Sequence, residues 1–535
     1  MTEVFFMYKR SAYLFFLLCF VLGIMCTRLA LIGQGLVQSA AGMSNSVSVT
    51  ADSSRGMIYD RNMKPLVNSE RKKYIAVKPD VQAYEENKKY IPEAERQLVF
   101  EEISSGRIGI SEAVNAADNE ENLLFEKLIR YPSEGFCAHL IGYTDSSGHG
   151  VSGLEKYYDE ILSRNGGSIK IICSVDARRN PLKGEKMKYE SDGYASAAGI
   201  SVTIDTDAQT VAEKAAAQYG LDRGAIVILT VDSSEILALV STPCFDRNNI
   251  AESLEDPSSP FVNRAVTPYS VGSVFKAAVA CAAVESGVPE GLLYNCTGEY
   301  TIGENSFGCH KKDGHGELDM QGAMTVSCNP YFINLAETVG KESICETGRK
   351  LGLGKRIELC DGWYTPSGIM PDEAELVSRQ DLANLAFGQG RLLASPLQMA
   401  ALYAAIANEG VYRRPSLMKG IINENGETVM AAELPAPRRV MKKETAEAVG
   451  RMLFATVNDG SSGKAKPESK TAAGKTATAQ SGQFKENGEE IIRSWFCGYF
   501  PYESPKYAVA ILKEDGRGGT ADCAPIFKYI ADNLE

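Results

Sequence analysis

The sequence predicts an α+β fold preceded by a membrane-anchor helix. Pairs of apolar strands lie at both ends of the C-terminal part, and a long helix-rich stretch separates them. Hairpins that enclose helices indicate an antiparallel sheet with a helical insertion, rather than the alternating units of a parallel sheet. An uncharged run near the N-terminus predicts the anchor.

The anchor is predicted from Ser11–Thr27, which carries no charge and follows the basic pair Lys9 and Arg10. At ~1.5 Å per residue this helix is roughly 26 Å long, close to the thickness of the hydrocarbon core. The basic pair predicts a cytoplasmic N-terminus and an extracytoplasmic remainder. The alternative is a cleaved signal peptide with its cleavage site at Ser39–Ala41, but the length of the apolar run favours the uncleaved anchor.

The composition restricts the classes of function that the chain can have. The 535 residues are 44% hydrophobic and 23% charged, which is typical of a globular chain with more than one domain. A net charge of -12 argues against a nucleic-acid partner. The thirteen cysteines include no C-x-x-C pair and show no metal-binding spacing, and the chain has only four histidines. Cys296 and Cys309 flank one loop and can pair in an oxidising compartment.

Residues 34–195 have no catalytic signature. Residues 34–54, rich in Ser, Ala, Gly and Val, are predicted to form a stalk. Residues 70–195 mix short strands with charged helices, two of which are predicted at Glu93–Ile103 and Asn122–Arg130. This part is interpreted as a structural domain that holds the rest of the chain away from the membrane.

From residue 199 onward the elements are predicted individually. Ser201–Ile204 is a short strand, and Asp205 or Thr206 caps a helix that runs to Gln218 and ends at Gly220. Apolar strands are predicted at Ala225–Val231, Glu235–Ser241, Ser494–Phe500 and Tyr507–Lys513, and a closing helix at Pro525–Leu534.

The stretch Tyr269–Lys276 places Ser273 and Lys276 one helical turn apart, at the start of a buried alanine-rich helix. Gly272 permits a sharp turn, and the free N–H groups at the helix N-terminus favour negative charge at Ser273. Burial lowers the pKa of a lysine, which suits Lys276 to act as a base. Taken alone, the spacing is more often an N-cap serine with a surface lysine.

Two later segments supply further polar groups. Ser327 and Asn329 lie near a predicted helix turn, where a hydroxyl and an amide can relay a proton and hold a substrate amide. In a later strand, Thr476 and Thr478 alternate on one side, and Lys475 completes a carboxylate-binding edge. The alternative for this strand is an exposed sheet edge with a protective lysine.

In order, these elements match the S-x-x-K, S-x-N and K-T-G motifs of the penicillin-recognising serine enzymes. The chain resembles a class B penicillin-binding protein, a peptidoglycan D,D-transpeptidase, over nearly its whole length. Further similar segments are Arg55–Asn62, Gly153–Glu155, His315–Gly316, Phe387–Gly390, Ser395–Gln398 and Trp495–Pro501. Two positions depart from the pattern: Val271 replaces a usual proline, and Ala477 replaces the glycine of the third motif. Because such a glycine often marks close backbone approach, the Ala477 methyl is expected to crowd the nucleophile helix or narrow the groove.

The resemblance implies a division of the chain into four parts. Residues 1–10 form a cytoplasmic tail and residues 11–33 a transmembrane anchor. Residues 34–195 form an elongated, α/β-mixed pedestal of the dimerisation type. Residues 196–535 form a penicillin-binding transpeptidase domain, with a central antiparallel sheet flanked by helices and an all-helical insertion. The expected location is the plasma membrane of a bacterium, with one membrane pass and the catalytic domain outside.

The resemblance also implies a mechanism of acyl transfer. Ser273 attacks the D-Ala-D-Ala carbonyl of a stem peptide, and neutral Lys276 takes the hydroxyl proton. The backbone N–H groups of Ser273 and Thr478 form the oxyanion hole. An amine of a second stem peptide resolves the acyl-enzyme and makes the cross-link, whereas its hydrolysis is a possible D-Ala-D-Ala carboxypeptidase side activity. β-Lactams stall at the acyl stage.

The remaining motif residues have implied roles in binding and proton return. Ser327 with Lys475 returns a proton to the leaving amine, and Asn329 holds the peptide amide. Thr476 and Thr478 bind the terminal carboxylate of the substrate.

The resemblance implies no metal and no organic cofactor. The expected partners are peptidoglycan stem peptides, β-lactam antibiotics, the plasma membrane and a membrane glycan polymerase, and no nucleic acid. Two alternatives stay open: a β-lactam-hydrolysing or β-lactam-sensing relative, and a catalytically impaired cell-wall scaffold marked by Ala477. The pedestal and the S-x-N motif argue against the first, and the retained lysines and threonines against the second.

Overall fold

The computed structural model of the chain describes residues 2–33, 45–132 and 135–535. Residues 34–44, with Ser39–Ala41 and much of the predicted stalk, lie outside the described residues. The described part has the α+β fold that the sequence predicts, and it divides into two compact units.

The N-terminal helix spans Thr2–Gly33 and is 32 residues long. It contains an apolar span of 19 residues, Ala12–Ala30, which is long enough to cross a membrane. Within the described ranges no other helix meets this test of length and composition. The predicted run Ser11–Thr27 lies inside this helix.

The first unit comprises Met1–Arg55, Asn68–Arg130 and Gly166–Ser196. One three-stranded sheet contains Ser46–Ser53, Ser168–Ser174 and Lys188–Asp192, and the other contains Gly109–Glu112, Glu70–Val77 and Asn122–Ile129. Beside them lie the helices Val81–Asn87 and Arg96–Ser104, with the 3₁₀ turns Lys88–Tyr90 and Glu93–Glu95. The helix predicted at Glu93–Ile103 is therefore present.

The helix predicted at Asn122–Arg130 is wrong. Asn122–Ile129 is a strand antiparallel to Glu70–Val77, with Phe125 opposite Tyr74. The leucines, glutamate and lysine of this segment favour a helix, but cross-strand contacts between aromatic and apolar side chains outweigh that preference.

The second unit comprises Gly56–Val67, Tyr131–Asn165 and Ala197–Glu535, and it is built around a five-stranded antiparallel sheet. The spatial order of the strands is Ile236–Thr242, Gly224–Thr230, Tyr507–Lys513, Glu490–Phe500 and Ala473–Phe484. The two predicted hairpins therefore meet in one sheet, and the strand with the third motif forms its edge. The predicted domain boundary between residues 195 and 196 stays a prediction.

Helices cover both faces of this sheet. On one face, Thr206–Gln218 and Ala524–Asn533 pack against alternate residues such as Ile226. On the other face lies Pro396–Ala407, with the helix Lys276–Glu285 in the same core. The sequence predicted the first of these helices correctly, because the side chain of its N-cap Asp205 accepts hydrogen bonds from the first-turn N–H groups.

The segment between the hairpins was predicted to be an all-helical insertion, and that detail is wrong: the segment is mainly helical, but it also contains short two-stranded ribbons. Its helices are Ile250–Leu254, Lys276–Glu285, Met320–Thr325, Asn329–Val339, Lys341–Lys350, Arg379–Ala386, Pro396–Ala407 and Lys443–Asp459. Its ribbons pair Tyr294–Cys296 with Gly316–Leu318, Glu299–Ile302 with Asn305–Gly308, Glu358–Cys360 with Trp363–Tyr364, and Val411–Tyr412 with Arg438–Arg439.

Smaller elements complete the second unit. A four-stranded sheet contains Thr428–Ala431, Met418–Ile422, Gly199–Val202 and Met57–Tyr59. The short helices are Ala138–Ile141, Gly153–Tyr157, Asp159–Arg164 and Gly519–Asp522, and the 3₁₀ turns are Gly272–Phe275, Glu373–Glu375 and Gly463–Ala465.

Candidate active site

Ser273 lies in the 3₁₀ turn Gly272–Phe275, which leads directly into the helix Lys276–Glu285. Gly272 has φ +62°, the left-handed conformation that a sharp turn requires. Lys276 follows one turn later and is 0% exposed. The serine and lysine therefore lie at the N-terminal end of a buried helix, not on a solvated surface.

Hydrogen bonds hold the Gly272–Phe275 turn, which contains the predicted nucleophile, in place from two sides. Trp495 Nε1 donates to the Ser270 carbonyl at 2.9 Å, and the Tyr403 hydroxyl donates to the Val274 carbonyl at 2.9 Å. Both aromatic side chains are buried. Because both bonds use backbone carbonyls close to Ser273, the core restricts the position of Ser273.

Gly388 is in close backbone contact with the turn. The Gly272 N–H donates to the Gly388 carbonyl at 2.8 Å. Gly388 has φ +75°, and a Cβ atom added to it would lie 2.0 Å from the Gly272 carbonyl oxygen. Phe387–Gly390 is one of the segments that resemble the family in sequence. The contact with Gly272 explains on steric grounds why position 388 is a glycine.

Lys276 connects the first and second motifs. Its Nζ donates to the Ser327 carbonyl at 2.9 Å and to Asn329 Oδ1 at 2.7 Å, and it lies 3.3 Å from Ser327 Oγ. Burial lowers the pKa of Lys276 to about 7. The amine is therefore poised between its charged and neutral forms near neutral pH.

Ser327 has a left-handed backbone with φ +59°, which is uncommon for a residue with a side chain. Such a conformation costs on the order of 1–3 kcal/mol and is found mainly where the surroundings enforce it. In this conformation, both the carbonyl and the hydroxyl of Ser327 lie within hydrogen-bond distance of Lys276 Nζ.

Lys475 comes from the edge strand Ala473–Phe484 and is 0% exposed. Its Nζ donates to the Thr476 carbonyl at 3.0 Å and to Ser461 Oγ at 3.4 Å. Burial, together with the nearby charge of Lys276, lowers the pKa of Lys475 well below its usual range. The interpretation of this residue as a protective lysine on an exposed edge is therefore wrong.

Ser461 links Lys475 to the second motif. Its backbone N–H donates to the Thr325 carbonyl at 3.0 Å, two positions before Ser327. The third motif thus approaches the second through one serine. The sequence analysis did not identify Ser461. The sequence feature that could have indicated it is the loop of small residues, Gly460–Gly463, before the strand.

Thr476 and Thr478 have different surroundings. Thr476 Oγ1 lies 3.2 Å from Ser462 Oγ and accepts a hydrogen bond from Thr520 Oγ1 at 3.5 Å. Thr478 is exposed, and a Cβ atom added to Gly518 would lie 3.0 Å from its hydroxyl. One hydroxyl is therefore part of an internal cluster, whereas the other is open to a ligand.

The Ala477 methyl lies on the side of the strand that packs against the nucleophile turn. Ala477 is 4% exposed, and a Cβ atom added to Gly272 would lie 3.4 Å from its methyl and 3.0 Å from that of Ala479. The methyl expected to crowd the nucleophile helix therefore faces a residue that has no side chain.

A cluster of three thiols and one imidazole lies next to the second motif. The ligand atoms of Cys296, Cys309, His315 and Cys328 lie within 4.8 Å of one another. The cysteine spacing did not predict this cluster, because its members come from separate elements. Neither Cys296 nor Cys309 is in a disulfide in the structure.

Comparison with known proteins relates this arrangement to a family. Residues 224–532 match the family described as penicillin binding protein transpeptidase domain. The chain is 29% identical over 433 residues to stage V sporulation protein D of Bacillus subtilis, a match that covers 77% of this chain and 65% of that protein. It is 27% identical over 432 residues to the peptidoglycan D,D-transpeptidase MrdA of Haemophilus influenzae, covering 73% and 63%. The match therefore spans less than two thirds of the length of these relatives.

Solved structures show the same fold. Penicillin-binding protein 3 of Mycobacterium tuberculosis, complexed with ampicillin, has a TM-score of 0.64 at 25% identity and covers 90% of this chain and 94% of its own. A complex between penicillin-binding protein PBP2 and MreC from Helicobacter pylori contains a chain with a TM-score of 0.65 at 21% identity, covering 91% and 98%. Since the family match includes more than half of the chain and all three motifs, the chain belongs to the penicillin-binding protein transpeptidase family.

Proposed function

We propose that this protein is a serine-type peptidoglycan D,D-transpeptidase and that Ser273 is its nucleophile. The observation that supports this most directly is the arrangement around Lys276, a buried amine one turn after Ser273 and bonded to Ser327 and Asn329. The D,D-transpeptidase name of the Haemophilus relative and the ampicillin complex of the Mycobacterium relative support the same activity.

Lys276 acts as the base for acylation. A neutral lysine amine has two N–H donors and one lone pair. The two nearest acceptors, the Ser327 carbonyl and Asn329 Oδ1, take both donors. The lone pair is then left for a hydroxyl proton, first that of Ser273 as it attacks the carbonyl carbon of the substrate.

The oxyanion hole is formed by the backbone N–H groups of Ser273 and Thr478. The small side chains of Ala477 and Ala479 let the edge strand approach the nucleophile turn closely. Two N–H groups held by packed backbone need little reorganisation when negative charge develops. Removal of one such donor typically slows a reaction by ~10²–10³.

The other motif residues serve proton return and substrate binding. Ser327, with buried Lys475, returns a proton to the leaving D-alanine amine. Asn329 holds the amide of the stem peptide. Thr478, exposed at the edge strand, binds the terminal carboxylate, and Thr476 supports it from the adjacent hydroxyl cluster. The resulting acyl-enzyme passes its acyl group to the amine of a second stem peptide, and β-lactams acylate Ser273 in place of the substrate.

The N-terminal helix anchors the protein in the plasma membrane of a bacterium with a single pass. Lys9 and Arg10 precede the apolar span Ala12–Ala30, which favours a cytoplasmic N-terminus and an extracytoplasmic catalytic domain. Residues 34–195 form the pedestal and residues 196–535 the transpeptidase domain. The MreC complex of the Helicobacter relative favours assembly with protein partners, and for this chain we propose a membrane glycan polymerase.

Labelling with a fluorescent penicillin tests the nucleophile. The full-length protein in detergent should form one stable covalent adduct per chain, and Ser273→Ala should abolish it because the attacking oxygen is lost. Ser286→Ala is the matched control, since Ser286 is exposed at the end of the same helix. Adduct that turns over rapidly would indicate a β-lactam-hydrolysing enzyme, and no adduct at all would indicate a non-catalytic scaffold.

The rate of acylation should depend on pH through Lys276. Only the neutral amine takes a proton, so the rate should fall about tenfold per pH unit well below a pKa of about 7. The other titratable groups that interact with Lys276 are Lys475, His310, His315 and the thiols of Cys309 and Cys328. Rapid-quench measurements of penicillin acylation between about pH 5 and 9 give the profile. A rate that stays constant across this range would contradict the role of Lys276.

Gly388→Ala should slow acylation without removing any polar group. Its new methyl must displace the Gly272 carbonyl, and a misplacement of about 1 Å can cost on the order of 10²-fold in rate. The control is Gly426→Ala, because Gly426 also has a positive φ, +79°, but no atom lies within 4 Å of an added Cβ. Acylation rates and thermal unfolding are measured for both variants. Equal rates would show that the Gly388 contact does not position Ser273.

Ala477→Gly should leave acylation within about tenfold of the native rate, which corresponds to ~1.4 kcal/mol in the activation barrier. The reason is that the methyl faces Gly272 and not a catalytic side chain. The free energy of unfolding should fall by about 0.5–1 kcal/mol, because a glycine in a strand loses more conformational freedom on folding. A much larger gain in acylation would instead show that Ala477 impairs the enzyme.

A further inference from the structure

We propose that Cys296, Cys309, His315 and Cys328 bind one zinc ion, and that this ion positions the Ser327–Asn329 segment of the active site. The zinc site is inferred from the cluster of side chains alone, whereas its effect on acylation rests on the proposed function. No motif spacing in the sequence indicated either of them.

The distances fit a tetrahedral ion. Ligand atoms about 2.0–2.3 Å from a zinc ion stand roughly 3.4–3.8 Å apart in a tetrahedron. Cys309 Sγ is 3.4 Å from His315 Nδ1, and the ligand atoms of all four residues lie within 4.8 Å of one another. Rotations of side chains are therefore enough to close the site, and no backbone segment has to move far.

The fold constructs the cluster from a closed loop. The ribbon Tyr294–Cys296 with Gly316–Leu318 places Cys296 opposite Gly316, next to His315. The Cys309 N–H donates to the Gly298 carbonyl at 2.8 Å, which brings the third ligand back to the start of the loop.

Glycines allow this loop to close. Gly298 has φ +102°, and a Cβ atom there would lie 1.9 Å from the Lys312 carbonyl oxygen. Gly314 has φ +76°, and a Cβ atom there would lie 2.1 Å from the Cys296 carbonyl oxygen. Both contacts exclude any side chain, so the backbone is compact where the ligands meet.

The donor set selects the metal. Three thiolates and one imidazole form the ligand set of closed structural zinc sites, whereas Ca²⁺ and Mg²⁺ prefer oxygen ligands. The three cysteines are buried, which shields thiolate ligands from competing reactions. Backbone N–H groups of Gly298 and His315 face the Cys296 sulfur, and that of Tyr331 faces Cys328, as in the outer shells of metal sites.

A disulfide between Cys296 and Cys309 accounts for less of the arrangement. Such a disulfide would bond two of the three sulfurs and would not explain why Cys328 and His315 lie beside them. A zinc ion uses all four groups. Because the protein would then fill every coordination position, the ion binds no substrate and acts only by positioning.

Cys328 joins the cluster to the active site. It lies between Ser327 and Asn329, both of which bond to Lys276. A metal–sulfur bond at this position holds the segment in which Ser327 has φ +59°. Because Cys328 would affect acylation through Ser327 and Asn329 and not directly, it is a positioning residue.

Metal content tests the site directly. The full-length protein, purified in detergent without chelators, should contain about one zinc ion per chain by mass spectrometry of the metal. Exchange with Co²⁺ should give the absorption bands of a tetrahedral cobalt thiolate. Absence of both zinc and the cobalt spectrum would overturn the proposal, and so would a Cys296–Cys309 disulfide found in non-reduced peptides.

Matched variants assign the ligands. Cys309→Ser and His315→Gln should lose the metal, and Cys309→His should retain it because imidazole is also a zinc ligand. Cys345→Ser is the control, since Cys345 is a buried cysteine outside the cluster, and it should keep a full complement of zinc. Retention of zinc by both Cys309→Ser and His315→Gln would exclude these residues as ligands. If a variant does not fold, the cobalt spectrum of the native protein still decides the question.

Penicillin acylation tests the link to the active site. Removal of zinc by a chelator should slow acylation on the order of 10²-fold, and added Zn²⁺ should restore it, because the Ser327 segment loses its position. An unchanged rate in the metal-free protein would refute the positioning role. A protein that binds zinc but never reacts with penicillin would contradict the proposed function and leave the zinc site intact.

Discussion

The burial of two lysine side chains, Lys276 and Lys475, close enough to repel each other is the constraint on which the rest of the candidate site depends. Desolvation disfavours an ammonium ion, and the two lysines also repel each other when charged. Keeping Lys276 neutral at pH 7, when its unfolded form would be protonated, costs about 5 kcal/mol, and this cost decreases as the pH rises from about 7 toward 10.5. The neutral form of the amine is therefore populated near pH 7 only because the surrounding domain is stable enough to hold it out of water. The acceptors around it, the Ser327 carbonyl and Asn329 Oδ1, reduce this cost without removing it.

Contacts behind the Gly272–Phe275 turn stabilise this arrangement. Glu514 is buried just after the central strand Tyr507–Lys513, and it accepts hydrogen bonds from the Arg264 guanidinium at 3.2 Å and from the Tyr269 hydroxyl at 2.7 Å. Tyr269 begins the strand-like segment that leads into the nucleophile turn, and it exchanges two backbone hydrogen bonds with Ala394. Loss of one partner from such a buried pair leaves an unpaired charge and is costly. Structural residues behind the turn therefore help to determine where Ser273 lies.

The sequence was sufficient for the parts of the site that local patterns control. The left-handed turn at Gly272 and the helix behind Lys276 follow from a glycine and a run of good helix formers. The predicted helix at Asn122–Arg130 was wrong because pairing with a distant strand outweighs local preference. Ser461 was missed for a similar reason: it matters only because its side chain meets Lys475 and its backbone meets Thr325. Long-range contacts of this kind carry no spacing that a single sequence displays.

The loop from Cys296 to Cys328 shows why a metal site and an active site would share one segment. The loop contains two short ribbons, and Glu299–Ile302 with Asn305–Gly308 is mostly exposed. This ribbon packs against the main core through Ile302, Tyr300 and Phe307, but a two-stranded ribbon by itself is marginally stable, because it buries little apolar surface to offset the loss of chain entropy. The loop leads to Ser327, whose backbone has the left-handed conformation. In the proposed zinc site, a cross-link among the four ligand residues closes the loop at its base and adds rigidity to that apolar packing.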